Sequence, residues 1–506
     1  MIRIIEKIDQ WAEKSPNTIA FQNSTNSISY KDLKEKSDAL AKWIITNYGT
    51  GSEPIIVFGH MQTEMISTFL GCVKSGRAYI PVDESIPADR LQKMIQNSGA
   101  KLLISPSTDI ELNFDSIKMI KNEELQMIFE TSSVTNNLEE HFVKEDDTFY
   151  IIYTSGSTGD PKGVQITENC LKSFVNWMEK DFGLKQGQRF LNQAPFSFDL
   201  SVMDLYPSLV TGGTLIAIEK SMISRPKVLF QYLADSNIEV WTSTPSFADM
   251  CMMNPDFNEK LLPNMKTFLF CGEVLSSQSA KQLTTRFTKA TVFNTYGPTE
   301  ATVAVTFVPI TEEILNQYTT LPIGMPKEDT KIYIMDENGT PLPEGEKGEI
   351  VIVGPSVSKG YLQNKEKTEA AFKTFNGMKA YKTGDSGYFE NGQLFYNGRI
   401  DLQIKLHGYR IEIEDIENNI RKLPLIKSVV VIPEMKDGKC TDLHCLVVVD
   451  ENDFEKEYQL TNFLKKQLSD FMPTYMIPRK FSYLTSLPMT TNGKVDRKKL
   501  VEQVYQ

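Results

Sequence analysis

The sequence is poor in the residues that build metal centres and disulfide scaffolds, with four histidines and six cysteines among 506 residues. His60, His141, His407 and His444 form no H-x-x-x-H pair, so a zincin-type helix is excluded. Cys72, Cys170, Cys251 and Cys271 are scattered, and a disulfide framework is not expected in a chain of this size. Cys440 and Cys445 flank His444, but no second ligand pair follows at finger-like spacing, and they read as buried strand thiols. Acidic residues outnumber basic ones, 65 to 54. A formal net charge of −11 opposes polyanion binding, and no nucleic-acid partner is expected. The one basic cluster, Lys494, Arg497, Lys498 and Lys499, reads as a solvated terminus. No uncharged apolar run reaches roughly 18 residues, so no membrane-embedded segment is expected. The opening stretch Met1–Trp11 alternates Arg3, Glu6, Lys7 and Asp9 with Ile5, Ile8 and Trp11. That spacing predicts an amphipathic helix instead of a signal peptide, and the expected compartment is the cytoplasm.

What is present is an ordinary globular composition, 41% hydrophobic and 24% charged, long enough for two or three compact parts. No internal repeat is visible. Apolar runs at Pro54–Phe58, Lys101–Ile104, Phe149–Tyr153, Thr214–Ile218 and Thr267–Phe270 alternate with helical spacing, which predicts parallel sheets covered by helices. From about Leu321 short strands (Lys331–Met335, Glu349–Val353, Gln393–Tyr396) are joined by Asn-Gly turns, predicting an antiparallel, barrel-like part. A third texture starts at Asp401, with helices at Glu412–Lys422 and Glu455–Asp470, strands at Ser428–Val431 and Leu443–Val449, and an extended end. The expected fold is therefore α/β. An N-terminal part of residues 1–400 includes a β-rich subdomain at 321–400, and a small α+β domain follows over 401–506.

The most unusual string is Thr154-Ser155-Gly156-Ser157-Thr158-Gly159, with Lys162 close behind. Such a tract suits a flexible linker, yet apolar runs abut it on both sides, as for a tight loop between buried strands. Glycines admit an anion to the backbone, and hydroxyls and N–H groups supply donors. Gly and Lys are not adjacent and no Ser or Thr follows Lys162, so this is neither a P-loop nor a dinucleotide fingerprint.

With Asn294-Thr295-Tyr296-Gly297-Pro298-Thr299-Glu300, Tyr381–Asp385, Asn397–Asp401, Lys405–Arg410 and Asn492–Asp496 following in order, the loop resembles the signature of the adenylate-forming superfamily. That superfamily comprises acyl-CoA synthetases, luciferases and the adenylation domains of nonribosomal peptide synthetases. The resemblance covers most of the chain and implies ATP-dependent activation of a carboxylic acid, with Mg²⁺ carried by the nucleotide. It assigns Thr154–Gly159, Lys162, Gly272, Glu273, Asn294–Thr299, Asp385, Tyr396, Asn397, Gly398 and Arg399 to the nucleotide. Glu300 then holds the metal, a role that suits a carboxylate, and Asp385 meets the ribose hydroxyls. Lys494 is the catalytic cation expected between carboxylate and α-phosphate, where two anions must meet.

Asp199 sits among apolar residues. It is a candidate helix N-cap before Leu200–Tyr206, or a counter-ion for an α-ammonium group. The resemblance favours the second, because the family places an Asp here in enzymes for α-amino acids. The implied pocket walls are Leu200, Met203, Leu269, Cys271 and Val303. Within the superfamily, the pattern is closer to enzymes that load D-alanine for teichoic-acid D-alanylation. This implies D-alanine as substrate, a phosphopantetheinylated D-alanyl carrier protein supplied in trans, a swing of the small domain about Asp401, and a monomer. A ligase for another small L-amino acid, or an acyl-CoA synthetase, shares the same motifs.

Overall fold

The computed structural model describes residues 3–107, 114, 116–131, 138–156, 160–401, 403–436, 438–488 and 495–505. They form two compact units, one of residues 1–84, 95–153 and 163–400, the other of 85–94, 154–162 and 401–506.

The first unit opens with the amphipathic helix expected there, now bounded as Ile4–Lys14, which buries Ile4, Ile5 and Ile8. A nine-stranded sheet holds, from one edge, Met325–Pro326, Thr306–Pro309, Thr291–Tyr296, Thr267–Phe270, Val240–Ser243, Arg189–Asn192, Thr214–Ala217, Ile19–Gln22 and Ser27–Ser29. Its centre is parallel and its edges are antiparallel. Val240–Ser243, Thr267–Phe270 and Thr214–Ala217 are buried at every residue, as strands covered on both faces must be. Alternate residues therefore feed two cores. Leu269 and Phe293 join one, and Phe268, Phe270 and Val292 join the other.

A six-stranded sheet (Lys118–Ile120, Leu102–Ile104, Ile55–Phe58, Tyr79–Val82, Thr148–Thr154, Lys162–Thr167) shares the first of these cores. The helix Val202–Val210, buried at every position, lies in that core. The expected antiparallel part is a five-stranded sheet built on Gly348–Val353 and the long strand Met378–Glu390, which pairs with Gln393–Arg399.

The second unit carries its own core under a sheet of Tyr409–Glu412, Gln403–Leu406, Lys439–Val449, Ile426–Lys436 and Lys480–Tyr483. Cys440 and Cys445 are buried on the strand Lys439–Val449, as expected. The end is helical where an extended run was expected, although Lys499 stays exposed as the reading of a solvated terminus has it. Arg497–Tyr505 is a helix, and Arg497 makes a two-pronged ion pair with buried Glu417 at 2.6 and 2.8 Å. Charge density alone predicted a solvated tail, because the partner carboxylate lies 80 residues earlier. No helix among the described residues is long and apolar enough to cross a membrane.

Candidate functional site

The strand Thr291–Tyr296 runs out of the nine-stranded sheet into a tight turn. A Cβ on Gly297 would lie 2.6 Å from the Ala304 Cα and 2.8 Å from the Val303 carbonyl oxygen, so only glycine permits this approach. The far side of the turn is strained. Thr302 and Val303 have φ of 61° and 68°, left-handed values that β-branched residues rarely adopt. The turn thereby presents Thr299, Glu300 and the Val303 carbonyl together.

Asp199 is not the helix N-cap. It begins a 3₁₀ turn, Asp199–Ser201, whose cap position is Phe198, and its carboxylate accepts from the Thr299 hydroxyl at 2.6 Å. The candidate ammonium partner is thus tied to the turn assigned to the nucleotide. Leu200, Met203, Leu269, Cys271 and Val303 are buried in one continuous core with it nearby. The Cys271 thiol donates weakly to the Val303 carbonyl at 3.7 Å, which links two residues assigned to the substrate pocket.

A second group lies where the nine-stranded and five-stranded sheets contribute side chains. The Tyr296 hydroxyl donates to Asp385 at 2.5 Å, and Arg399 donates to the other Asp385 oxygen at 2.8 Å and to the Thr383 carbonyl at 3.0 Å. Burial and the adjacent Asp385 carboxylate push the Tyr296 hydroxyl well above the ordinary tyrosine value. The Tyr396 ring sits 6.3 Å from that of Tyr296. Asn294 donates to the Pro322 carbonyl, and the Thr295 hydroxyl to the Phe270 carbonyl, both at 2.8 Å. Glu273 accepts from the Ser246 N–H, next to Gly272 at the end of the strand Thr267–Phe270. Asn397, ahead of Gly398, is exposed and accepts from Lys347 at 2.9 Å.

Glu300 is fully buried and accepts from the Tyr361 hydroxyl at 2.7 Å, a partner that no motif pointed to. No group of three or more His, Cys, Asp or Glu among the described residues gathers to hold a metal. A lone buried carboxylate fits Mg²⁺ that keeps most of its shell from phosphate and water.

The described start of the Ser/Thr/Gly loop, Thr154, Ser155 and Gly156, belongs with the second unit. It leaves the strand Thr148–Thr154, and a Cβ on Gly156 would come 2.4 Å from the Asp160 carbonyl oxygen. The Ser155 hydroxyl donates to the Arg410 carbonyl at 2.7 Å and accepts from the Glu412 N–H, while Lys162 pairs with Glu412 at 3.6 Å. Ser157, Thr158, Gly159 and Lys494 lie outside the described residues.

Comparison with known proteins bears on the family. The AMP-binding enzyme family matches residues 8–362, and the AMP-binding enzyme C-terminal domain matches residues 415–494. The D-alanine–D-alanyl carrier protein ligase of Bacillus cereus (strain AH187) is 59% identical, covering 99% of this chain and 100% of its own length. That of Bacillus thuringiensis (strain Al Hakam) is 58% identical over the same extent. Among solved structures, the Vibrio cholerae adenylation domain AlmE, in complex with glycyl-adenosine-5'-phosphate, superposes with a TM-score of 0.85 at 22% identity, over 99% of this chain and 97% of that one. The o-succinylbenzoate CoA synthetase of Bacillus subtilis does so with 0.83 at 20% identity, over 98% of both chains. The two structures share the α/β architecture, with a large N-terminal domain and a smaller C-terminal one, and the family matches span both parts of the chain. On this evidence the chain belongs to the AMP-binding enzyme family.

Proposed function

We propose that this chain activates D-alanine with ATP as D-alanyl-adenylate, and then transfers the D-alanyl group to the phosphopantetheine thiol of a D-alanyl carrier protein for teichoic-acid D-alanylation. The observation that carries the reading is 59% identity, along the full length of both chains, with an enzyme named for that reaction.

In the first half-reaction a carboxylate oxygen of D-alanine attacks the α-phosphorus, and pyrophosphate leaves. Asp199, oriented by Thr299, faces the α-ammonium group, and the Val303 carbonyl accepts from it. Leu200, Met203, Leu269 and Cys271, all buried in one core, are the walls we assign to a methyl side chain, which they would discriminate by shape. Asp385, held by Tyr296 and Arg399, accepts from the ribose hydroxyls. Mg²⁺, brought with ATP and held by Glu300, would supply charge neutralisation at the phosphates. Ser155, Lys162 and the rest of the loop cradle the β- and γ-phosphates, and Lys494 offsets the repulsion between carboxylate and α-phosphate. In the second half-reaction the thiol attacks the carbonyl carbon, the thioester forms and AMP leaves. We place both steps in the cytoplasm, with the chain as a monomer and the carrier as a separate protein.

The test is ATP–pyrophosphate exchange with D-alanine, L-alanine, glycine, serine and acetate in parallel. D-alanine is expected to give the highest kcat/KM. L-alanine in first place would overturn the handedness, and acetate in first place would overturn the role of Asp199.

A further inference from the structure

Asp204 is fully buried on the helix Val202–Val210, directly after Met203. Neither of its carboxylate oxygens has a hydrogen-bond partner. Two fully buried neighbours share that state, the Thr242 hydroxyl and the Asn192 carbonyl oxygen. Burial drives the Asp204 carboxyl towards its neutral form, the Thr242 and Asn192 side chains act in the opposite sense, and no charged group contributes.

These neighbours sit on the sheet that forms the floor of the pocket. Thr242 is in register with Leu269, and Leu191 is in register with Trp241, so Asn192 follows one step further along the same strands. Asn192 gives one of its two N–H bonds to the Ala194 carbonyl at 3.1 Å, and its oxygen has no partner. An ionised Asp204 would bury a full charge with no cation beside it, a cost that the Thr242 and Asn192 side chains offset in part. A neutral Asp204 can donate through its O–H and accept through its other oxygen, which matches the unpartnered oxygen of Asn192 and hydroxyl of Thr242.

We infer that Asp204 is a positioning residue for the amino-acid pocket: it pins the helix that presents Met203, and with it the turn just before that carries Asp199 and Leu200, to Asn192 and Thr242, beside Leu269. The inference rests on the proposed activation of an amino acid. Farther along, the helix is tied by Tyr206 to Tyr79 at 2.6 Å and by the Val210 carbonyl to Trp11 at 2.9 Å, so Asp204 supplies the directional tie of the first turn, next to the pocket. A displacement of well under a turn is enough to misplace Asp199 against an ammonium group. The residues assigned to adenine and ribose hang on other elements, so the larger loss falls on the amino acid.

The experiment is ATP–pyrophosphate exchange by the full-length protein, using whichever amino acid the wild type turns over best. A wrong substrate assignment then shows in the wild-type panel and leaves the comparison of variants intact. Asp204→Asn keeps an acceptor and gains an N–H donor, and its KM for the amino acid is expected within about twofold of wild type. Asp204→Leu is expected to raise that KM about tenfold or more, with the KM for ATP within about twofold. Thr242→Val, which preserves shape, is expected to raise it about threefold or more with the same split. An unchanged amino-acid KM in Thr242→Val, or equal rises in both KM values, overturns the inference. So does an Asp204→Asn variant as impaired as Asp204→Leu. Should Asp204→Leu fail to fold, the other two variants decide.

Discussion

At Asp199 charge and hydrogen bonding can be separated, because Thr299 donates to it and an amide oxygen would accept the same bond. Asp199→Asn is therefore expected to keep the local geometry and lose the charge, raising the KM for D-alanine about a hundredfold or more while the KM for ATP moves little. Steady-state exchange kinetics check this, and equal effects on both substrates would remove Asp199 from the ammonium site. Asp204 makes a different statement, about stability. Its folded carboxyl titrates well above the ordinary 3.8 of the unfolded chain. Above that value the unfolded state has released the proton and the folded state has not, so stability falls as pH rises towards the folded value. Asp204→Asn removes this slope. The melting temperature of the variant relative to wild type is expected to rise between about pH 5 and about pH 8, and a flat difference would count against a neutral Asp204. Asp199 was legible in the sequence as a carboxylate among aromatic residues. Asp204, five positions on, was not, because its partners Asn192 and Thr242 come from strands that only the sheet brings together.

At the scale of elements, the apolar runs marked the buried strands to within a residue or two, since strands covered on both faces leave little room for polar residues. The strand Thr267–Phe270 has the bounds its composition predicts, whereas the run at Gln393–Tyr396 continues to Arg399. The extra residues are polar, and pairing with Met378–Glu390 is what holds them. The terminal helix Arg497–Tyr505 was hidden for the same reason, since its anchor is Glu417 in another helix. The turn after Tyr296 gives the prediction that belongs here. Gly297→Ala places a methyl against backbone atoms of Val303 and Ala304, which have no rotamer to yield. Adenylate formation is expected to fall about a hundredfold, with a loss of about 1–3 kcal/mol in stability. Chemical denaturation and single-turnover pyrophosphate release check the two halves. Full activity with lowered stability would mean that the turn does not position Thr299 and Glu300.

For the whole molecule, the change of texture at Asp401 was visible because a strand-and-turn region gives way there to a charged helix and longer strands. The grouping of residues 85–94 and 154–162 with the C-terminal segment was not, since it depends on single contacts such as Lys162 with Glu412. The proposed two-step reaction asks the same chain to place Lys494 beside the adenylate and then to admit a thiol. We assign the necessary rotation to Asp401, whose carboxylate accepts from the Gln403 N–H at 3.1 Å. Proline at this position fixes φ near −65°, so a residue that must change φ between the steps is arrested in one of them. Asp401→Pro is expected to leave exchange within about threefold of wild type and to slow transfer from preformed D-alanyl-adenylate to the carrier about tenfold or more. Asp401→Ala removes the side-chain bond but leaves φ free, and it is expected to support both steps. Rapid-quench measurement of each half-reaction separates these outcomes. If the proline variant slows both steps equally, or if alanine is as harmful as proline, the pivot lies elsewhere and the role of Asp401 is that of its side chain alone.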